Sequence, residues 1–245
     1  MAGILLQDLV AVTLACHNSL MSNDVPPEQL AASHAAFGKL KEFGESLKPI
    51  DKQTTWFWQI LFELIDSAMT NYNQLRKAYD ADDAPLLAWA CRNLLELVVF
   101  TKYVLISEAD ARRFASDRLI DGCDIIRCLK TLELHINPQS DTTLLDDALT
   151  RMQAQMAAEA VTASRYLATS ALADKVGMKT EFDCMNRVCS KLVHPTAWSI
   201  ISVNKGENAF SQSRPILFTS GVQYGCELYL AIKEHNQIHG MKPKP

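Results

Sequence analysis

The stretch DAPLLAWACRNLLELVVFTKYVLI, residues 83–106, decides how this chain is read. Asp83-Ala84-Pro85 is a helix-start signature, because an N-terminal Asp can accept from a free backbone N–H and a first-turn proline gives up none that is needed. The apolar run from Leu86 to Ile106 that follows approaches a membrane span in length. It also contains Arg92, Asn93, Glu96 and Lys102, and central charges at about 2.5 to 3.5 kcal/mol each oppose insertion into a bilayer. The segment is therefore read as a helix buried on most sides by other helices, with no membrane partner.

The same signals recur outward from it. Ser107-Glu-Ala-Asp110 and Thr180-Glu-Phe-Asp183 have the spacing of capping boxes, and Pro26-Pro27 separates the first two helical texts. The periodicity predicts helices near 3–22, 27–47, 53–79, 85–106, 108–135, 141–173, 181–194 and 220–238. The fold class is all-α, a bundle of seven to eight helices. One segment departs from the pattern: Trp198 to Val203 and Pro215 to Thr219 are short β-branched or aromatic runs around a polar, Gly-containing stretch, which predicts a small β-hairpin within 198–219. Nothing resembling a linker divides residues 1–245, so one helical domain is expected, with residues 1–50 a candidate helical hairpin on its side and 241–245 a flexible tail.

Composition narrows the partners. The chain has 245 residues, 48% hydrophobic and 21% charged, with nine Gly and nine Pro, the profile of a globular protein able to bury a core without staples. A net charge of −4 argues against a surface that attracts nucleic acid or anionic lipid throughout. Seven cysteines, odd in number and mostly set in apolar helical text, suit a reducing cytoplasm. The apolar run Ile4 to Leu14 before Ala15-Cys16 lacks a preceding Lys or Arg and is interrupted by Gln7-Asp8, so an export signal is not expected.

Several chemistries lack their signatures. There is no Gly-rich phosphate loop, no Gly-x-Ser-x-Gly elbow, no Cys-x-x-Cys and no His-Glu-x-x-His. Cys123 and Cys128, like Cys184 and Cys189, are five apart, which on a helix turns the thiols about 140° from one another. Glu63, Asp66 and Glu96 lie in otherwise apolar helices, but the Glu-x-x-His pairs of a carboxylate-bridged di-metal bundle are absent. The His235/His239 pair at the last helix reads as a solvated end whose charge suits the dipole. No metal and no cofactor is expected.

Two constellations remain as candidate sites. Arg92 and Glu96 are one turn apart on the most apolar helix, which predicts a buried ion pair that either fixes packing or lines a polar pocket where Glu96 orients Arg92 toward an anion. Further along, Asn186-Arg187-Val-Cys-Ser190-Lys191-Leu-Val-His194-Pro195 places Arg187 and His194 on nearly one face, with Lys191 between them and Ser190 at its edge. Pro195 disfavours helical geometry at His194 and so sets it at the helix end, where the dipole favours imidazolium. The plain alternative is that His194 caps its helix and Arg187 makes a surface ion pair.

The Arg-x-x-x-Glu helix with a later Ser-x-x-x-His-Pro resembles an uncharacterised all-α family of unknown function, over roughly residues 55 to 238. The spacing from Arg187 to His194 also resembles the Arg-x4-6-His motif of HEPN domains, helical bundles that often dimerise and in many cases are metal-independent ribonucleases. That resemblance implies that Arg187 would stabilise the phosphoryl transition state and His194 would act on the 2′-hydroxyl or the leaving oxygen. Two functions follow as expectations. The first is a non-catalytic module that binds a small ligand or a protein, with Arg92, Glu96, Ser190 and Lys191 as ligand-binding residues. The alternative is a ribonuclease using Arg187 and His194, with RNA as partner and a homodimer bringing two such faces together.

Overall fold

The computed structural model describes residues 24–49, 51–161, 166–194 and 209–244. Among them are eight helices and no strand: α1 (Pro27–Ser46), α2 (Thr55–Asp80), α3 (Ala84–Val104), α4 (Glu108–Ile136), α5 (Thr143–Ala158), α6 (Thr169–Lys175), α7 (Lys179–Val193) and α8 (Ala209–His239). Two starts follow the sequence signals. The Asp83 carboxylate accepts from the Leu86 N–H at 3.0 Å, and the Ser107 hydroxyl accepts from the Asp110 N–H at 3.2 Å. The turn between α2 and α3 reverses through Asp82 at φ 55°, a left-handed position that Asp tolerates better than most side chains. At α7 the capping residue is Met178 rather than Thr180, and no side chain caps it.

Helix α3 is the axis of the bundle. Leu87, Ala88, Ala90, Cys91, Leu94, Leu95, Val98, Val99, Thr101, Tyr103 and Val104 are buried on it, spread over most of the circumference. It achieves this by packing against α2, α4, α6, α7 and α8. Half of its most apolar window is covered inside the protein, although the helix has the length and apolarity to cross a membrane. The long α8 crosses α3, α2 and α1. Two glycines permit that approach: a Cβ on Gly221 would sit 2.8 Å from Leu75, and one on Gly225 would strike the Phe37 ring. Phe37 in turn stacks on Tyr72, centroids 3.7 Å apart, which fastens α1 to α2.

Four expectations are corrected. The second strand of the hairpin, Pro215 to Thr219, is helix, while its first strand lies outside the described residues. Leu217, Phe218, Val222, Tyr224, Leu228, Tyr229 and Ile232 are all buried, so the aromatic and β-branched run is the first turn of a stripe with helical period. A short apolar run reads alike as strand or buried helix, and burial against α3 decided it. The helix predicted over 141–173 is two helices, α5 and α6, separated by 159–168. The tail is tied down over 241–244: Met241 is buried, the Lys242 carbonyl bonds His235 Nε2 at 2.7 Å, and the Lys244 carbonyl accepts from Glu108 N. His235 is therefore buried, not solvated. The predicted helix over 3–22 lies outside the described residues.

A distal region is built differently. Helix α5 has no buried residue and packs almost only against α4, so the second half of α4 and α5 form a two-helix arm. Its seam is Gly122 against Met152 and Cys123 against Met156, whose sulfurs are 3.7 Å apart.

Candidate functional site

Arg187 and His194 do share a face of α7, together with Lys191, and that face is exposed. The opposite side of the helix carries Phe182, Cys189 and Leu192 into the core. Ser190 is half-buried at the boundary, and its carbonyl accepts from the His194 N–H at 3.1 Å. His194 takes the extended geometry of a C-cap (φ −97°, ψ 142°), as the following proline requires. Arg187 has no ion-pair partner among the described residues. A shallow depression near the start of α7 is lined by Gly177 to Glu181 and Cys184 and excludes Arg187 and His194.

Arg92 and Glu96 pair as the one-turn spacing predicts, Nε to Oε1 3.0 Å. Their side chains keep 31% and 24% of their exposure, so the pair is half-buried instead of enclosed in the core. The reason is register: Cys91, Leu94, Leu95, Val98 and Val99 occupy the enclosed positions of α3, which leaves Arg92 and Glu96 the arc nearest solvent. Arg92 lies close enough to Cys189 to bias its thiol electrostatically. Cys189 is on the buried side of α7, so Arg92/Glu96 and Arg187/His194 belong to opposite sides of that helix and do not form one cavity.

The contact at that seam is one that spacing alone could not reveal. Cys91 of α3 and Cys189 of α7 are both fully buried and hydrogen-bond to each other, which together with burial holds the Cys91 thiol well above its ordinary range. Tyr224 of α8 is buried beside them, and its phenol is pushed far up by desolvation and by the neighbouring thiols and Glu181. Cys128 and Cys184 are exposed, so the described cysteines divide by position into core and surface groups. No group of three His, Cys, Asp or Glu able to hold a metal ion exists among the described residues.

A cleft of about 620 Å³ opens between α2, α3 and α4. That volume is in the range of small-molecule sites. Helix α2 supplies one wall from successive turns: Trp56, Ile60 and Leu64 as its apolar part, with Gln59, Glu63 and Ser67 as a polar rail beside it. Leu97 and Phe100 of α3 form the floor, and Phe114, Ala115 and Arg118 of α4 the far wall. Phe100 and Phe114 meet at 5.4 Å between centroids, and the Arg112 guanidinium covers Trp56 at 4.4 Å. Both arginines are already paired, Arg112 with Glu108 at 2.5 Å and Arg118 with Glu159 at 2.8 Å. Glu63 has no ion-pair partner among the described residues, so one exposed, uncompensated carboxylate lines the cleft together with its aromatic residues.

Sequence reasoning had singled out Glu63 only as an acid in an apolar helix. The spacing of Trp56, Ile60, Glu63 and Ser67 marks one face of α2, but the opposite wall comes from residues about fifty positions away. The chain matches no protein-family model, no curated protein and no solved structure.

Proposed function

We propose that this protein is a non-catalytic binding module whose ligand occupies the cleft between α2, α3 and α4. The observation that carries this reading is that Glu63, exposed and without an ion-pair partner among the described residues, lines the same cleft as Trp56, Phe100 and Phe114. Apolar aromatic walls favour a flat or aliphatic body, and with Arg112 and Arg118 neutralised inside the protein the charge left over is negative. The ligand class is a small organic amine with an apolar body. Arg92, Glu96, Ser190 and Lys191 do not line this cleft and are not assigned to it.

The test is a thermal-shift and calorimetric comparison of aromatic amines with their carboxylate counterparts, phenethylamine against 3-phenylpropionate and tryptamine against indole-3-propionate. A ligand bound to the native state alone raises Tm in proportion to RT ln(1 + [L]/Kd). The amines raise Tm in wild type and lose the effect in Glu63→Gln. Equal shifts by both classes, or none by either, would overturn the assignment.

The second reading, metal-independent RNA cleavage, is favoured by one observation: Arg187, Lys191 and His194 form an exposed basic face on α7. Under it His194→Ala abolishes cleavage of single-stranded RNA in the presence of EDTA. Absence of cleavage by wild type, or equal cleavage by the variant, removes it.

A further inference from the structure

We propose that two copies of this chain associate through the outer face of α4, antiparallel, about a two-fold axis passing near Cys128. The proposal is independent of the cleft.

Helix α4 carries two apolar stripes. One faces α5 through Gly122 and Cys123. The other, about a third of a turn away, consists of Ile125, Cys128, Leu129, Leu132 and Ile136, spaced at the three- and four-residue steps of a helix seam. None of the five is buried: Ile125 retains 59% of its exposure and Ile136 71%. Ile125, Cys128, Leu129 and Leu132 line an open depression of about 570 Å³ with Tyr166 and Asp121 at its edge. A row of large apolar side chains about 16 Å long, on a helix that is already packed on its other side, is what a helix shows when a partner completes its packing.

Charge selects the partner and its orientation. The basic side chains nearest the stripe are used within the arm, Arg127 with Asp124 at 2.6 Å and Lys130 with Asp146 at 2.5 Å. Two ionisable groups beside the stripe make no ion pair among the described residues: Asp121 near its start and His135 at its end. Asp121 is crowded by Asp117 and Asp124, and Arg113, the cation that acts on it, is itself paired with Asp117. Asp121 and His135 are equidistant in sequence from Cys128, about 10 Å along the axis on either side. An antiparallel second copy therefore sets each His135 against the other copy's Asp121, while Ile125 falls beside Leu129 and Leu132 across the axis. A parallel copy would set Asp121 against Asp121. The antiparallel arrangement also sends the two bundle bodies to opposite ends of the joined arms. Two such arms together make a four-helix bundle, with a two-fold interface that is self-complementary by construction. The area is several hundred Å² per copy, at or below the roughly 800 Å² of a standard interface, the size of an association that depends on concentration.

The experiment uses the full chain. Sedimentation equilibrium from about 1 to about 200 µM shows a monomer–dimer transition, and Leu132→Asp shifts it at least about tenfold toward monomer with the circular dichroism spectrum unchanged. A short bismaleimide on a Cys184→Ser background gives a covalent dimer that disappears when Cys128→Ser is added; this conservative pair keeps the test valid should Leu132→Asp perturb the arm. His135→Asp weakens the dimer by placing like charges together, and adding Asp121→Lys restores it. A monomer at every concentration overturns the proposal. So does a dimer indifferent to Leu132→Asp, or a crosslink that does not require Cys128.

Discussion

Helix α3 and the distal half of α4 contain the same kinds of residue and meet opposite fates. In α3, eleven of 21 residues are buried, because five other helices surround it. In α4 beyond Cys123 no residue is buried, although Ile125, Leu129, Leu132 and Ile136 are as apolar as anything in α3. Apolarity thus states what a side chain gains on leaving water, about 25 cal/mol per Å², and not whether a neighbour exists to exclude the water. The difference lies in connectivity. Residues before and after α3 return across it as α2, α6, α7 and α8, whereas the chain leaving α4 returns only once, as α5, before rejoining the body.

The largest expected effect separates these two regions directly. Leu95→Ala lowers the unfolding free energy by about 2–5 kcal/mol, because a fully enclosed site leaves a cavity. Leu144→Ala in α5, where 83% of the side chain's residue surface is exposed, stays within about 0.5 kcal/mol. Urea midpoints for the two variants check the contrast, and equal losses would mean that the arm is as tightly packed as the core.

Gly225→Ala is expected to cost about 1–3 kcal/mol, since the added methyl drives into Phe37 while that ring is held against Tyr72. Most glycine-to-alanine changes in a helix stabilise it. A rise in Tm for this variant would show that α8 does not approach α1 as closely as described.

The third effect depends on pH. Burial pulls the His235 imidazole below its ordinary value of 6.5, against the opposing hydrogen bond to the Lys242 carbonyl, with His239 and Lys244 adding like charge. The unfolded chain therefore binds the proton first, and the stability contributed by neutral His235 is present above 6.5 and lost as pH falls through the folded value. Urea midpoints above and below 6.5 should fall with acidification in wild type and less so in His235→Gln. An identical slope in both would place the acid sensitivity elsewhere.

The smallest effect is at Arg92 and Glu96. A pair with about a quarter to a third of its surface in water contributes below about 1 kcal/mol, so Glu96→Ala should move the urea midpoint only slightly. A loss of several kcal/mol would mean that the pair is more enclosed than the structure places it.

What was legible in the sequence was local. The caps at Asp83 and Ser107, the start of α1 at Pro26-Pro27, the pairing of Arg92 with Glu96 and the shared face of Arg187, Lys191 and His194 all depend on residues within about two helical turns of one another. Glu63 was visible as an acid in apolar text, but the wall opposite it was not. Pro215 to Thr219 shows the same limit from the other side: a five-residue apolar run has too few positions to tell a period of two from one of 3.6, and the remaining turns of α8 that resolve it came after it.

The amino-acid sequence by itself therefore determined that this chain is helical, where most of its helices begin, and that α3 is its most enclosed element, since hydrogen bonding to the fourth residue back and side-chain period are properties of neighbouring residues. Only the tertiary structure decided that Cys91 meets Cys189, that α2 and α4 face each other across a cleft with Glu63 on one wall, and that the outer stripe of α4 is left uncovered. These depend on which helices return to which neighbours after loops of different lengths. That choice is made by the summed burial of the whole core, in which no single contact, and no single stretch of residues, carries enough free energy to be recognised alone.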